Sequence, residues 1–396
     1  MSSKIKVDLL ADGNLKPIHC RISGGQLISA LSPVKIGESI KGRILCAGRV
    51  ESVGRFFIAD SDKVYVSVSG AEFYELGTLS GDAPFIIEET SGSTCRAVIC
   101  NGKSALAHSG DSYRGTLCGI EVSCGVMHCG RLFGGNGYTL RWSGEGGIED
   151  GEQKLNGAGY IVLEPTRGKI LNILEYGEKL VIVREFGLTL VSMFGNPEHF
   201  SVEMTGTDCD RIFKNTAQVV FGKLLFFTES GLKSFDGSRI EVLPHRYAAD
   251  IASPTCSAEF SGLYFLGCES KFLGRRCVLC YNPADGESYL VDVRADAISS
   301  ADCVYVFGED GLFRLCGESG FSFVANFYAD SAATLTEIHV DGTCDLEVGN
   351  GKVSRTFEGA RGKIRPRLRG RTFTVKGKGL EDIKSLTACV EVCDAI

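Results

Sequence analysis

Eight lysines and arginines, and no acid, fall within residues 361–378, RGKIRPRLRGRTFTVKGK. Six of them, Arg361, Lys363, Arg365, Arg367, Arg369 and Arg371, occupy alternate positions. On one extended strand such side chains share a face and stand about 6–7 Å apart along it. A row of guanidinium groups can hold phosphates or a carboxylate-rich partner. After Gly370 the apolar set moves to Phe373 and Val375, which implies a bulge or bend at that glycine. Pro366 has no amide N–H and places the segment at a sheet edge. The plainer arrangement is a solvated strand face paired with Glu337, Asp341, Asp345, Glu347 and Glu358 on neighbouring strands. The balance from residue 334 onward, 11 Lys/Arg against 9 Asp/Glu, favours that plainer arrangement.

Other groups with reactive or ligating side chains point away from catalysis. Cys124, His128 and Cys129 lie close in sequence, and Cys277 and Cys280 form a CxxC. Zinc needs a second pair at suitable spacing, and residues three apart on a strand face opposite ways. No metal or cofactor is therefore expected. The six histidines (His19, His108, His128, His199, His245, His339) follow no partner pattern, and no nucleophile elbow, Walker loop or Rossmann fingerprint occurs. Glu149, Asp150 and Glu152 read as a solvated loop. Many of the 17 cysteines, Cys46, Cys100, Cys280, Cys303 and Cys316 among them, sit in or beside apolar runs. They read as small hydrophobes in a reducing compartment.

The elements that carry these residues repeat. Residues 222–237, GKLLFFTESGLKSFDG, hold an apolar run, a Glu-Ser-Gly turn and a second short run, the pattern of a β-hairpin. Related hairpins start at Gly54, Ser104, Gly130, Leu180, Gly262 and Val304, with turns near Ser61, Gly110, Asn136, Glu185, Ser230, Ser270 and Asp310. Their interval is roughly that of a four-stranded propeller blade. With 50 glycines, 9 prolines and no convincing amphipathic helix, the chain reads as all-β. The expected fold is a seven-bladed β-propeller over residues 41–330, followed by a small C-terminal β-sandwich over 331–396. Residues 328–333 read as the hinge, and Asp12–Gly13, Asp341–Gly342 and Asn350–Gly351 as turns. Residues 1–40 complete one module or the other.

The net charge of −7 argues against a surface given over to nucleic acid. No apolar run is long enough to span a membrane, and MSSKIKVDLL lacks a signal peptide's apolar segment, so neither membrane nor export is expected.

The segments GRLFGGNGYTLRWSG, GKILNILEYGEKLVIVREFGLTLV, the Asn196–Pro197 turn and GKLLFFTESGLKSFDG, with RPRLRGRTFTV near the C-terminus, resemble tail proteins of short-tailed bacteriophages and prophages. The class is that of tail-nozzle and tail-hub stabilisation proteins, and the likeness covers roughly residues 125–245 and 334–395. It implies a non-catalytic assembly part of a virion, built in the bacterial host cytoplasm. Its partners would be other tail or portal proteins, with homo-oligomers in the particle and at most a weak DNA contact. Two other readings stay open: a carbohydrate-binding or glycan-hydrolysing propeller, and a DNA-contacting module using the arginine run.

Overall fold

The computed structural model describes the chain apart from residues 1–2, 12–14, 39, 41, 82, 92–93, 103, 111–112, 118–120, 146, 151–156, 194, 196, 204–207, 318–319 and 393–396. The Asp12–Gly13 turn, Asn196 and Glu152 lie outside the described residues. Among the described residues, all regular structure is β apart from short 3-10 turns. Six four-stranded antiparallel sheets of described residues follow one another round a propeller arrangement. Their first strands are Cys46–Val50, Pro84–Ser91, Cys124–His128, Ile170–Tyr176, Gln218–Val220 and Ala297–Ser300. A further meander, from Ile251–Phe260 to Ser288–Val291, ends a ten-stranded mixed sheet.

Each first strand touches the next, with Ile251–Phe260 standing between Gln218–Val220 and Ala297–Ser300, and Ala297–Ser300 returns to touch Cys46–Val50. The apolar runs explain this stacking. Leu224 and Phe226 face one core, while Leu225 and Phe227 face the neighbouring one. Val304 and Val306 divide from Tyr305 and Phe307 in the same way. A sheet covered on both faces needs unbroken apolar strands rather than alternating ones. The ring is sewn shut by Ser32–Gly37, which pairs antiparallel with Gly311–Gly317 as the outer strand of the last sheet. At the same seam, the Arg49 guanidinium lies 3.0 Å from Asp302 and 5.3 Å from the Phe56 and Tyr305 rings.

One hairpin is corrected. The turn near Gly110 joins the third and fourth strands of its sheet, whereas the other turns join second to third. The equivalent turn follows Asn101 at Gly102, between Thr94–Asn101 and Ser104–His108. That shift evens the spacing, and the Asn-Gly pair was its signal.

The C-terminal strands share one core with the start of the chain. Leu9, Leu10, Leu15, Cys20 and Leu27 pack with Phe321, Phe323, Leu335, Phe373 and Leu386. Ser3–Asp8 pairs with Ser385–Val392, and Leu15–Ile18 pairs with Phe321–Gly349. Leu15–Ile18 also meets Ser288–Val291 in parallel at Ile18 and Leu290, which joins this layer to the Ile251–Phe260 to Ser288–Val291 meander in one mixed sheet. Two expectations fail here. Residues 328–333 are a bend inside the single strand Phe321–Gly349, not a hinge between modules. Asp341–Gly342 is not a hairpin turn either. The strand runs on through it and changes partner, from Leu368 at Leu335 to Gly379 at Cys344. Asn350–Gly351 does close a hairpin, in which the Asn350 side-chain oxygen accepts the N–H groups of Lys352 and Val353 at 3.0 and 2.8 Å.

Candidate functional site

The arginine run lies along the outside of the bent strand. Val340, Ile338, Leu335 and Ala333 face Gly362, Ile364, Leu368 and Gly370 in register. The other edge of residues 333–341 is taken by Ser385–Val392. Residues 362–370 thus form an edge, in keeping with Pro366. All six cations are exposed, while Pro366 and Leu368 between them are buried and Ile364 is half-buried. The backbone, however, is not one strand. Arg361 and Lys363 end Ser354–Ile364, Arg365 and Arg367 sit in the link, and Arg369 and Arg371 open Leu368–Gly379. Pro366 cannot donate to a ladder, and Arg367 takes a positive φ of 50°, so the strand breaks between them. The change of face at Gly370 is present: Thr372 is exposed and Phe373 buried.

Of the five expected acidic partners, one meets the run and two are engaged elsewhere. Lys363 Nζ meets Glu337 Oε1 at 3.1 Å. Glu347 turns to Lys376 at 3.4 Å, and an Asp345 oxygen accepts the Gly359 N–H at 2.7 Å. Among the described residues, Arg361, Arg365, Arg367, Arg369 and Arg371 have no side-chain hydrogen bond or ion pair. Arginines on and just after the Ile251–Phe260 to Ser288–Val291 meander differ. Arg275 pairs with Asp292, Arg276 with Asp296, and Arg294 with Glu309.

Cys277 and Cys280 fall on opposite faces of Arg275–Tyr281, in two separate cores. Cys124 is buried beside Phe133, whereas His128 turns its Nδ1 to Glu175 at 2.7 Å. Among the described residues no three ligating side chains converge. A polar cavity of about 390 Å³ runs between the first strands, lined by Arg49, Glu88, Asn172, Gln218 and Asp296 with Cys46 and Cys256. Burial pushes the Cys46 thiol up to about 12 and the Cys256 thiol to about 11. Thiols held protonated are poor nucleophiles and poor ligands.

No family model and no curated protein matches the chain. Among solved structures, the extracellular domain of the putative one-component system BT4673 from B. thetaiotaomicron is 11% identical, with a TM-score of 0.49. The match covers 85% of this chain and 48% of that one. PorZ, a surface component of the type-IX secretion system of Porphyromonas gingivalis, is 10% identical with a TM-score of 0.44, over 82% of this chain and 46% of its own. Kluyveromyces lactis Hsv2 is 8% identical with a TM-score of 0.41, over 74% of this chain and 95% of its own. The chain thus spans about half the length of the first two. None of the three is a phage protein by its description.

Sequence reasoning passed over Phe221 and Arg21. The signal for the first was a Phe-Gly pair between Val220 and Lys223, where a two-residue turn calls for Asn-Gly. Nothing in the sequence marked Arg21, because its surroundings come from strands far along the chain.

Proposed function

We propose that this protein is a non-catalytic interaction scaffold, with the propeller as a rigid platform and the C-terminal layer as its docking element. In this reading the Ile251–Phe260 to Ser288–Val291 meander is a seventh blade, and the strands from Phe321 onward with Ser3–Asp8 and Leu15–Ile18 make a β-sandwich. One observation carries the reading: five exposed arginines within residues 361–371, along this edge and at its two ends, without carboxylates of their own among the described residues. Like charges gathered this closely repel one another, and arginine is suited to fixed, bidentate contact with carboxylates. The partner proposed is a carboxylate-rich protein surface. The phage or prophage tail, with portal or tail proteins as partners and the virion as location, rests on the resemblance of residues 125–245 and 334–395 alone.

Fluorescence anisotropy tests this, using the full chain with a labelled poly-glutamate peptide and, separately, a labelled duplex DNA over a range of salt. Peptide binding that disappears in an Arg365→Glu, Arg367→Glu, Arg369→Glu variant supports the reading. Stronger binding to duplex, with a steep salt slope, would replace it with a DNA contact. Binding to neither would end both.

A further inference from the structure

A second surface stands apart from the arginine edge. Two neighbouring hairpins each turn in two residues, Phe221-Gly222 between Val220 and Lys223, and Ser261-Gly262 between Phe260 and Leu263. All four turn residues have positive φ, 48°, 74°, 51° and 77° in order. This is the geometry for which asparagine and glycine are favoured, and a bulky side chain there is an outlier. Yet Phe221 occupies the first turn and is 72% exposed. Its ring lies over the other turn, where a Cβ on Gly262 would come within 2.0 Å of it. The chain therefore accepts local strain and an uncovered aromatic ring, and glycine clears the space on which the ring lies. Strain held at such a place points to binding.

The ring borders a cleft of about 660 Å³, a size suited to a small ligand. Phe260, Leu263 and Tyr289 supply apolar wall, and Arg21, Asn282 and Asp285 supply polar groups. Arg21 is half-buried, and its side chain has no hydrogen bond or ion pair among the described residues. The Asn282 oxygen is used by the Ala284 N–H at 3.0 Å, which leaves its amide donors. Asp285 gives one oxygen to the Glu287 N–H at 2.9 Å and keeps the other. Glu287, which also lines the cleft, is held by Arg246 at 3.2 Å. An anionic ligand would meet the Asp285 carboxylate, and a cationic one would meet Arg21. A neutral ring with hydroxyl groups satisfies donors and acceptors together and offers an apolar face for stacking.

We infer that this cleft binds a neutral glycan, with one pyranose ring stacked on Phe221 and its hydroxyls on Arg21, Asn282 and Asp285. The test is an array of neutral glycans probed with the fluorescently labelled full chain. Calorimetric titration with the best soluble oligosaccharide follows, for the wild type, Phe221→Asn and Arg21→Gln. Asparagine is the residue the turn prefers, so Phe221→Asn is expected to melt at the same temperature or higher while affinity falls at least tenfold. Arg21→Gln is expected to weaken binding severalfold. A wild type that binds no neutral glycan overturns the inference. So does affinity unchanged in Phe221→Asn, or a lowered melting temperature in that variant, which would assign the ring a packing role.

Discussion

Lys363 Nζ lies 3.1 Å from Glu337 Oε1. Among the described residues, this pair separates the one neutralised cation of the edge from its neighbours. With the Lys363 side chain 64% exposed, the pair contributes little to stability. Lys363→Ala is expected to change unfolding free energy by less than about 1 kcal/mol. Reversal of Arg365, Arg367 and Arg369 to Glu is expected to leave stability within about 1 kcal/mol or raise it, since like charges are relieved. Urea titration checks both. A loss of several kcal/mol in the triple variant would mean that these side chains hold the fold rather than face a partner.

The closing strand makes a sharper demand. A Cβ on Gly37 would come 2.1 Å from the Gly70 carbonyl oxygen, and backbone cannot swing aside as a side chain can. Gly37→Ala is expected to cost about 1–3 kcal/mol by overpacking. The strain falls where the end of Ser32–Gly37 meets the segment after Lys63–Ser67 of the first sheet, so early proteolysis within the first 40 residues should accompany it. A variant that melts and resists protease like the wild type would place the closure elsewhere.

Acid should destabilise the fold. His245 buries both ring nitrogens without a partner, and desolvation lowers its pKa from 6.5 to about 4. His19 Nε2 accepts the Asp292 N–H at 2.9 Å, which needs an unprotonated nitrogen, and burial lowers its pKa while Asp292 opposes the shift. Because the folded state holds these groups neutral, the unfolded chain binds protons first as pH falls. Stability is therefore full above about pH 6.5 and is lost as pH falls toward 4. The His245 share is about 3 kcal/mol. Denaturant midpoints at pH 7.5, about 5 and about 4 should show that fall, and His245→Phe should remove much of it. Equal slopes in both proteins would contradict it.

Much of this was readable in advance. The runs at Leu224–Phe227 and Val304–Phe307 announced strands covered on both faces, and Asn350–Gly351 announced its hairpin. What could not be read was partnership across long sequence separations. Ser32–Gly37 carries no mark that its partner is Gly311–Gly317. Asp341–Gly342 has the composition of a turn, yet Gly342 lies close to Ile383 and the strand continues past it. Alternation placed the arginines on one exposed side, but it could not foresee the break at Arg367 or the engagement of Glu347 and Asp345 elsewhere.

The cysteines separate by exposure. Cys129 and Cys316 are exposed, whereas Cys20, Cys100, Cys124 and Cys256 are buried, and burial raises the pKa of each. Brief alkylation of the native protein, mapped by mass spectrometry, should label Cys129 and Cys316 first. The raised thiols should react only on unfolding. Early labelling of Cys256 would mean that the cavity between the first strands opens readily.

Arginine-selective modification with phenylglyoxal, mapped peptide by peptide with and without poly-glutamate, tests the docking edge most directly. Arg361, Arg365, Arg367, Arg369 and Arg371 should react well before Arg275, Arg276 and Arg294, which are held by carboxylates. The acidic polymer should protect the first group alone. Equal reactivity of the two groups, or no protection, would contradict a free arginine edge built for an acidic partner.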